Sequence, residues 1–149
     1  MANSYCNLLY HIVFSTKGRD AWLEGEAQSR CHEYLGGAIR DEGGIALLIN
    51  GMPDHVHIFA KLRQDKAVAD VVRSIKSNSS GWFHREFRRT AFAWQEGYAA
   101  FTVSFSQVDE VRAYIETQQD HHRRGGFKKE YLRLLDKHGI EYDLRYVFD

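Results

Sequence analysis

Two histidines separated by one residue, His55-Val56-His57, are the first pair in the chain whose spacing suggests shared chemistry. In an extended strand, residues i and i+2 point to the same face. Both imidazoles then project from one side, about 7 Å apart at Cα, while Val56 and Ile58 turn toward the core. That separation lets them share a metal ion. A chain with 8 histidines also produces such a pair by chance, so the motif needs company.

It has company in Tyr114-Ile115-Glu116-Thr117-Gln118. On a helix Tyr114 and Gln118 share a face. A lone tyrosine there is ordinarily a core or boundary residue. Beside two imidazoles it completes a chemical set. Two neutral imidazoles and one amide oxygen leave open positions on a divalent ion. Without a thiolate, Mg²⁺ or Mn²⁺ on a phosphate oxygen suits these donors better than zinc. Such an ion polarises a phosphodiester. A tyrosine hydroxyl, with a pKa of about 10, is a poor nucleophile. Close to a metal and basic side chains it can attack as the phenolate. The covalent phosphotyrosine conserves the energy of the broken diester for rejoining. His121 and His122 follow on about the same helix face and stand as alternatives to Gln118 for the third ligand.

The elements that must carry these groups are legible in the pattern. Leu8 to Ser15 is an apolar, β-branched strand. Asp20 can cap a helix to about Glu42, ended by Gly43-Gly44. Ile45–Asn50 and His55–Leu62 form a hairpin about Gly51-Met52-Pro53-Asp54. Lys66 to about Arg88 is a long helix. Phe92–Trp94 and Tyr98–Val103 are short strands. Ser106-Gln107-Val108-Asp109 caps a helix from Gln107 to about His122, and Phe127–His138 is the last helix. The aromatic tail packs back. The order β-α-β-β-α-β-α predicts an α+β, ferredoxin-like antiparallel sheet with helices on one face, plus a C-terminal helix carrying basic residues. The other face can meet a ligand.

At 149 residues the chain is the size of one domain, residues 1–149. A composition of 44% hydrophobic and 27% charged residues excludes disorder, collagen and coiled coil. No apolar run nears the ~18 residues of a membrane helix, so no membrane association is expected. Met1 to Tyr10 has no secretory pattern. Cys6 and Cys31 lack CxxC spacing and read as reduced thiols, which together predict a cytoplasmic location. The net charge is zero, unusual for a nucleic-acid binder, but the charge is sorted. Residues 61–90 hold eight basic against three acidic residues, and residues 121–137 hold six against two. These blocks are either solvated helix faces or strips that touch phosphate.

Taken together, the motifs resemble the single-tyrosine HUH transposases of the insertion-sequence 200/605 type, where U is a hydrophobic residue. The resemblance rests on Tyr10–Lys17, Met52–His57, Ser74–Ser80, Trp94–Ser104 and Tyr114–Gln118, in order and at suitable spacing. It implies Tyr114 as the nucleophile, forming a 5′-phosphotyrosine and freeing a 3′-OH. It implies His55, His57 and Gln118 as ligands of Mg²⁺ or Mn²⁺, with no small-molecule cofactor. It further implies a homodimer acting on single-stranded DNA with hairpins, in a bacterial or archaeal cell and close to the nucleoid. Each tyrosine helix can complete its own or its partner's site. The basic blocks then gain a purpose: Arg73, Lys76, Arg85, Arg88, Arg89, Arg123 and Arg124 could grip the hairpin backbone, with Trp82 or Phe83 either stacking on a base or serving the core. Two alternatives share many of these features: a repeat-associated relative processing chromosomal hairpins, and a non-catalytic single-stranded nucleic-acid-binding protein.

Overall fold

The computed structural model describes residues 3–122 and 125–149, with the backbone alone at His121 and His122. Arg123 and Arg124 lie outside the described residues. Four strands, β1 (Leu9–Ser15), β2 (Ile45–Met52), β3 (His55–Lys61) and β4 (Ala99–Val103), form one sheet in the order β2-β3-β1-β4. Every neighbouring pair is antiparallel. Helix α1 (Glu26–Asp41) connects β1 to β2, and α2 (Val68–Phe87) connects β3 to β4. This is the split βαβ arrangement expected of a ferredoxin-like α+β fold.

Strand alternation gives the sheet two chemically different faces. Ile12, Phe14, Val56, Ile58 and Ala60 point one way and pack with Leu35 and Ile39 of α1 and Val71, Val72 and Ile75 of α2. The other face carries Val13, Ala99 and Phe101, which pack under α5 (Gly126–Lys137) through Phe127, Tyr131 and Leu134. It also carries Leu9, Phe59 and Val103, which pack under Ile115 of α3 (Val108–Glu116). The second face is therefore roofed by helices rather than left open to a ligand. Asn50 Nδ2 donates to the Ile115 carbonyl at 2.8 Å and fastens the end of α3 to β2. The tail returns as expected: Tyr142, Val147 and Phe148 join the α5 cluster, and Arg19 donates to the Phe148 carbonyl at 2.7 Å.

Strand β2 runs on through Gly51 and Met52, most other boundaries shift by a residue or two, and the larger departures from the sequence expectation have local reasons. Helix α1 starts at Glu26, not after Asp20. Leu23 is buried and its N–H is spent on the Pro53 carbonyl, which holds this stretch against the hairpin. Phe92–Trp94 forms a single bridge, Thr16 to Trp94, flanked by the backbone bonds Lys17 N–H to Ala93 and Gln95 N–H to Ser15, while the Trp94 indole donates to Ser79 Oγ at 2.9 Å. Ser106 does not cap a helix: its hydroxyl meets that of Ser104, and α3 begins after Gln107. The tyrosine helix breaks at Thr117, whose hydroxyl donates back to the Ala113 carbonyl at 2.8 Å. Gln118 opens a separate short helix, α4 (Gln118–His122).

The β2–β3 hairpin that aims His55 and His57 depends on one glycine. Met52 pairs with His55 and Gly51 with Val56, leaving Pro53-Asp54 as a two-residue turn. A Cβ at Gly51 would lie 2.3 Å from the His55 carbonyl oxygen and 3.0 Å from Val56 Cα. Backbone cannot yield as a flexible side chain can. Gly51→Ala is expected to destabilise the fold by about 2 kcal/mol, read as a lowered midpoint in urea denaturation; an unchanged midpoint would refute this close packing.

Candidate active site

The register pairs Ser15 with His55, Val13 with His57 and His11 with Phe59. Cross-strand partners share a face, so His11, His55 and His57 all project beneath α5. All three are buried. Helix α5 answers with Glu130. Its position follows from the helix period: Phe127, Tyr131 and Leu134 form the buried stripe, and Glu130 lies on that same stripe.

Glu130 joins every reactive group nearby. Its Oε1 lies 3.2 Å from His55 Nε2 and 3.1 Å from His57 Nε2. Its Oε2 accepts from the Tyr114 hydroxyl at 2.6 Å and from Gln118 Nε2 at 3.0 Å. Gln118 Oε1 is 2.9 Å from His55 Nε2. Tyr114 and Gln118 thus meet as the sequence expected, although a helix break separates them. The far side of each imidazole is also held: His55 Nδ1 lies 2.7 Å from Asp54 Oδ1, and His57 Nδ1 lies 2.8 Å from His11 Nε2.

These contacts set the charges. Burial pushes the His55 pKa down, but Asp54 and Glu130 more than offset it, raising it to about 9. Burial works to raise the Glu130 pKa; contact with His55, His57 and Tyr114 reverses this and holds the carboxyl well below its usual range. Burial, followed by the charge and hydrogen bond of Glu130, pushes the Tyr114 phenol well above its usual range, so the hydroxyl keeps its proton. Burial and the neighbouring His57 keep His11 neutral. A neutral His11 that donates Nε2–H to His57 Nδ1 leaves His57 Nε2–H to donate to Glu130 Oε1.

That donor set fits a divalent cation. His55, His57 and Glu130 each offer one ligand atom, and these atoms lie within 4.8 Å of one another. They are nitrogen and oxygen donors with oriented outer partners, as metal-binding imidazoles require. Gln118 Oε1 lies at the same place. His121 and His122, the alternative ligands, carry side chains outside the described residues.

Glu130 and His11 are the groups that sequence reasoning missed. A carboxylate on an apolar helical stripe was a signal for Glu130. His11 could be found only from the strand register.

The predicted DNA-contacting residues are distributed differently. Arg73, Arg85, Arg88 and Arg89 are exposed and stand on or just beyond α2, across the sheet from the histidines. Lys76 is turned inward. Its ammonium donates to the carbonyls of Gln95, Glu96 and Gly97 at 2.7, 3.0 and 2.8 Å. Burial lowers its pKa to about 8. This lysine clamps the loop before β4, which occupies all three of its N–H groups. Phe83 belongs to the core, and Trp82 stacks on Tyr34 with ring centroids 4.8 Å apart.

The family model described as transposase IS200 like matches residues 4–118. The ISDra2 transposase TnpA of Deinococcus radiodurans is 26% identical over 119 residues, covering 76% of this chain and 85% of that one. Among solved structures, a Deinococcus radiodurans R1 protein described as a transposase matches with a TM-score of 0.65 at 23% identity, over 79% of this chain and 95% of that chain. A REP-associated tyrosine transposase bound to a REP hairpin matches with a TM-score of 0.58 at 14% identity, over 86% of this chain and 75% of that chain.

At neutral pH a protonated His55 must lose its proton when a cation binds. Titrating Mn²⁺ into the protein calorimetrically, in buffers of different ionisation enthalpy, should show about one proton released per ion. Affinity should climb about tenfold per pH unit up to about pH 9. Glu130→Gln should weaken Mn²⁺ by about 10- to 100-fold. Unchanged affinity in this variant would remove Glu130 from the ligand set.

Proposed function

The chain belongs to the IS200-like transposase family, and from that premise we propose that it cleaves and rejoins single-stranded DNA through Tyr114. The observation that carries this reading is the meeting of the Tyr114 hydroxyl, both strand histidines and Gln118 on one Glu130 carboxylate. A water-dependent phosphoesterase would not need a tyrosine held there.

His55, His57 and Gln118, joined by Glu130, would hold Mg²⁺ or Mn²⁺. When bound, such an ion supplies a Lewis acid that offsets charge on the phosphoryl oxygens. The remaining work belongs to the chain. Glu130 orients the Tyr114 hydroxyl and is the ionised acceptor in contact with its proton. The phenolate oxygen forms a bond to phosphorus as the bond from phosphorus to the 3′-oxygen breaks. The proton that the Tyr114 hydroxyl gives to Glu130 passes on to the 3′-oxygen, which leaves as a 3′-OH, and the 5′-phosphate stays on Tyr114. Reversal with a different 3′-OH rejoins the strand.

Tyr114 reaches the histidines of its own chain through Glu130, which supports a site completed in cis within a homodimer. Arg73, Arg85, Arg88 and Arg89 are proposed to hold hairpin DNA, the class of ligand bound by one structural relative. The same role for Arg123 and Arg124 concerns residues outside the described part. Among the described residues no helix is long and apolar enough to cross a membrane, and a cytoplasmic site of action is proposed with the DNA substrate.

The test is a covalent-adduct assay. Labelled single-stranded DNA carrying the genomic flanking hairpins is mixed with protein and Mg²⁺ or Mn²⁺ and run on a denaturing gel. A shifted band is expected, absent in Tyr114→Phe and with EDTA, and lost in His57→Ala. Cleavage that survives Tyr114→Phe would overturn the covalent mechanism.

Hairpin binding is tested separately. Replacing Arg85, Arg88 and Arg89 together by alanine should weaken hairpin affinity regardless of sequence. The salt slope should flatten by about 0.9 for each phosphate that is no longer neutralised. An unchanged slope would exclude these arginines from the interface.

A further inference from the structure

A cavity of about 530 Å³ opens between β4, α3 and α5, beside Tyr114. Its lining combines three kinds of group. Phe101 and His138 line it as two rings stacked on each other, with centroids 4.0 Å apart and ring planes within 17°, the buried Phe101 backing the exposed His138. Val111 and the Tyr114 ring form an apolar side. Arg133 and Lys137, one turn apart on α5, supply positive charge. Both are exposed. Lys137 lies 3.8 Å from Glu110 across the cavity, and a contact between two such exposed side chains holds weakly.

The cavity connects to the reacting groups through tilted and edge-on ring contacts. His11 lies 6.0 Å from Phe101 and 6.0 Å from Tyr114 between ring centroids, and it bonds to His57. A ligand seated here lies against the ring of Tyr114 and beside His11.

We propose that this cavity is a nucleotide pocket. It takes one unstacked base of the single-stranded substrate next to the scissile phosphate, with Arg133 and Lys137 on that nucleotide's flanking phosphates. The inference rests on the Tyr114 reading for its substrate. Its chemistry follows from the lining: flat π faces receive any base, and two cations beside them match a backbone that carries one charge per nucleotide. A purely apolar partner, such as a helix of a second copy, would leave both cations without use.

The experiment is an abasic scan in the Tyr114→Phe background, so that binding is read without cleavage. Each nucleotide around the cleavage position is replaced in turn by an abasic unit, and Kd is measured by fluorescence anisotropy. One position should lose about tenfold in affinity. In Val111→Trp, which fills the cavity, and in His138→Ala, which removes half of the stacked pair, the penalty at that position should vanish while penalties elsewhere persist. His138 is exposed, so its loss should not cost the fold. Arg133→Gln should flatten the salt slope by about 0.7, the value of one single-strand phosphate. An abasic penalty that survives Val111→Trp, or the absence of any sensitive position, overturns the pocket. So does a change of oligomeric state in Val111→Trp with the abasic profile unaltered, which would assign the cavity to a second copy. Failure of the Tyr114 reading is seen independently, as wild-type protein that binds DNA but forms no adduct.

Discussion

Burying an ionised carboxylate costs several kcal/mol unless it is fully paired, and Glu130 is buried. The site on the second sheet face follows from meeting that cost. Two imidazoles on alternate positions of one strand supply positive character on one carboxylate oxygen; a phenol and an amide satisfy the other. Each partner is placed by a different element: His55 and His57 by β3, Tyr114 by α3, Gln118 by α4. Removing any one would leave the charge short of a partner, so the carboxylate fixes four elements in mutual register. A metal ion would enter an arrangement already drawn together, with its ligands aimed in advance.

The sheet supplies the rigidity this needs. β3 is a central strand, paired on both sides, and its alternation sends Val56 and Ile58 into the α1–α2 core while His55 and His57 go the other way. The imidazoles cannot drift without dragging the main hydrophobic cluster with them. The Thr117 break serves the same end from above. A continuous helix would fix the Tyr114 and Gln118 directions by the helical period alone; the break lets each side chain reach Glu130 Oε2 independently.

The local patterns were legible because they depend on neighbours in sequence. Strand alternation at His55-Val56-His57, the helix before Thr117 and the order of elements need nothing beyond period and turn chemistry. The missing parts depend on distant packing. His11 becomes part of the site only through the β1–β3 register. Glu130 becomes its centre only when α5 folds over the second face, and a sheet face assumed open hid that roof. Lys76 is expected on the DNA backbone from its place on the basic helix, yet three carbonyls of the loop before β4 claim it, a contact that the sequence around Lys76 does not announce. A boundary moved where a backbone group found a distant partner, as the Leu23 N–H did with the Pro53 carbonyl.

The zero net charge takes on a physical meaning once the layers are known. On the site face Glu130 meets the two histidines, and Glu110 faces Lys137. The arginines at the end of α2 stand across the sheet from that chemistry. A chain basic throughout would attract the DNA backbone everywhere and leave the reacting strand many competing places to lie. The family match ends at residue 118, yet Glu130 and Arg133 both come from α5. The helix after the matched region is therefore the element that turns a histidine strand and a tyrosine helix into one closed site.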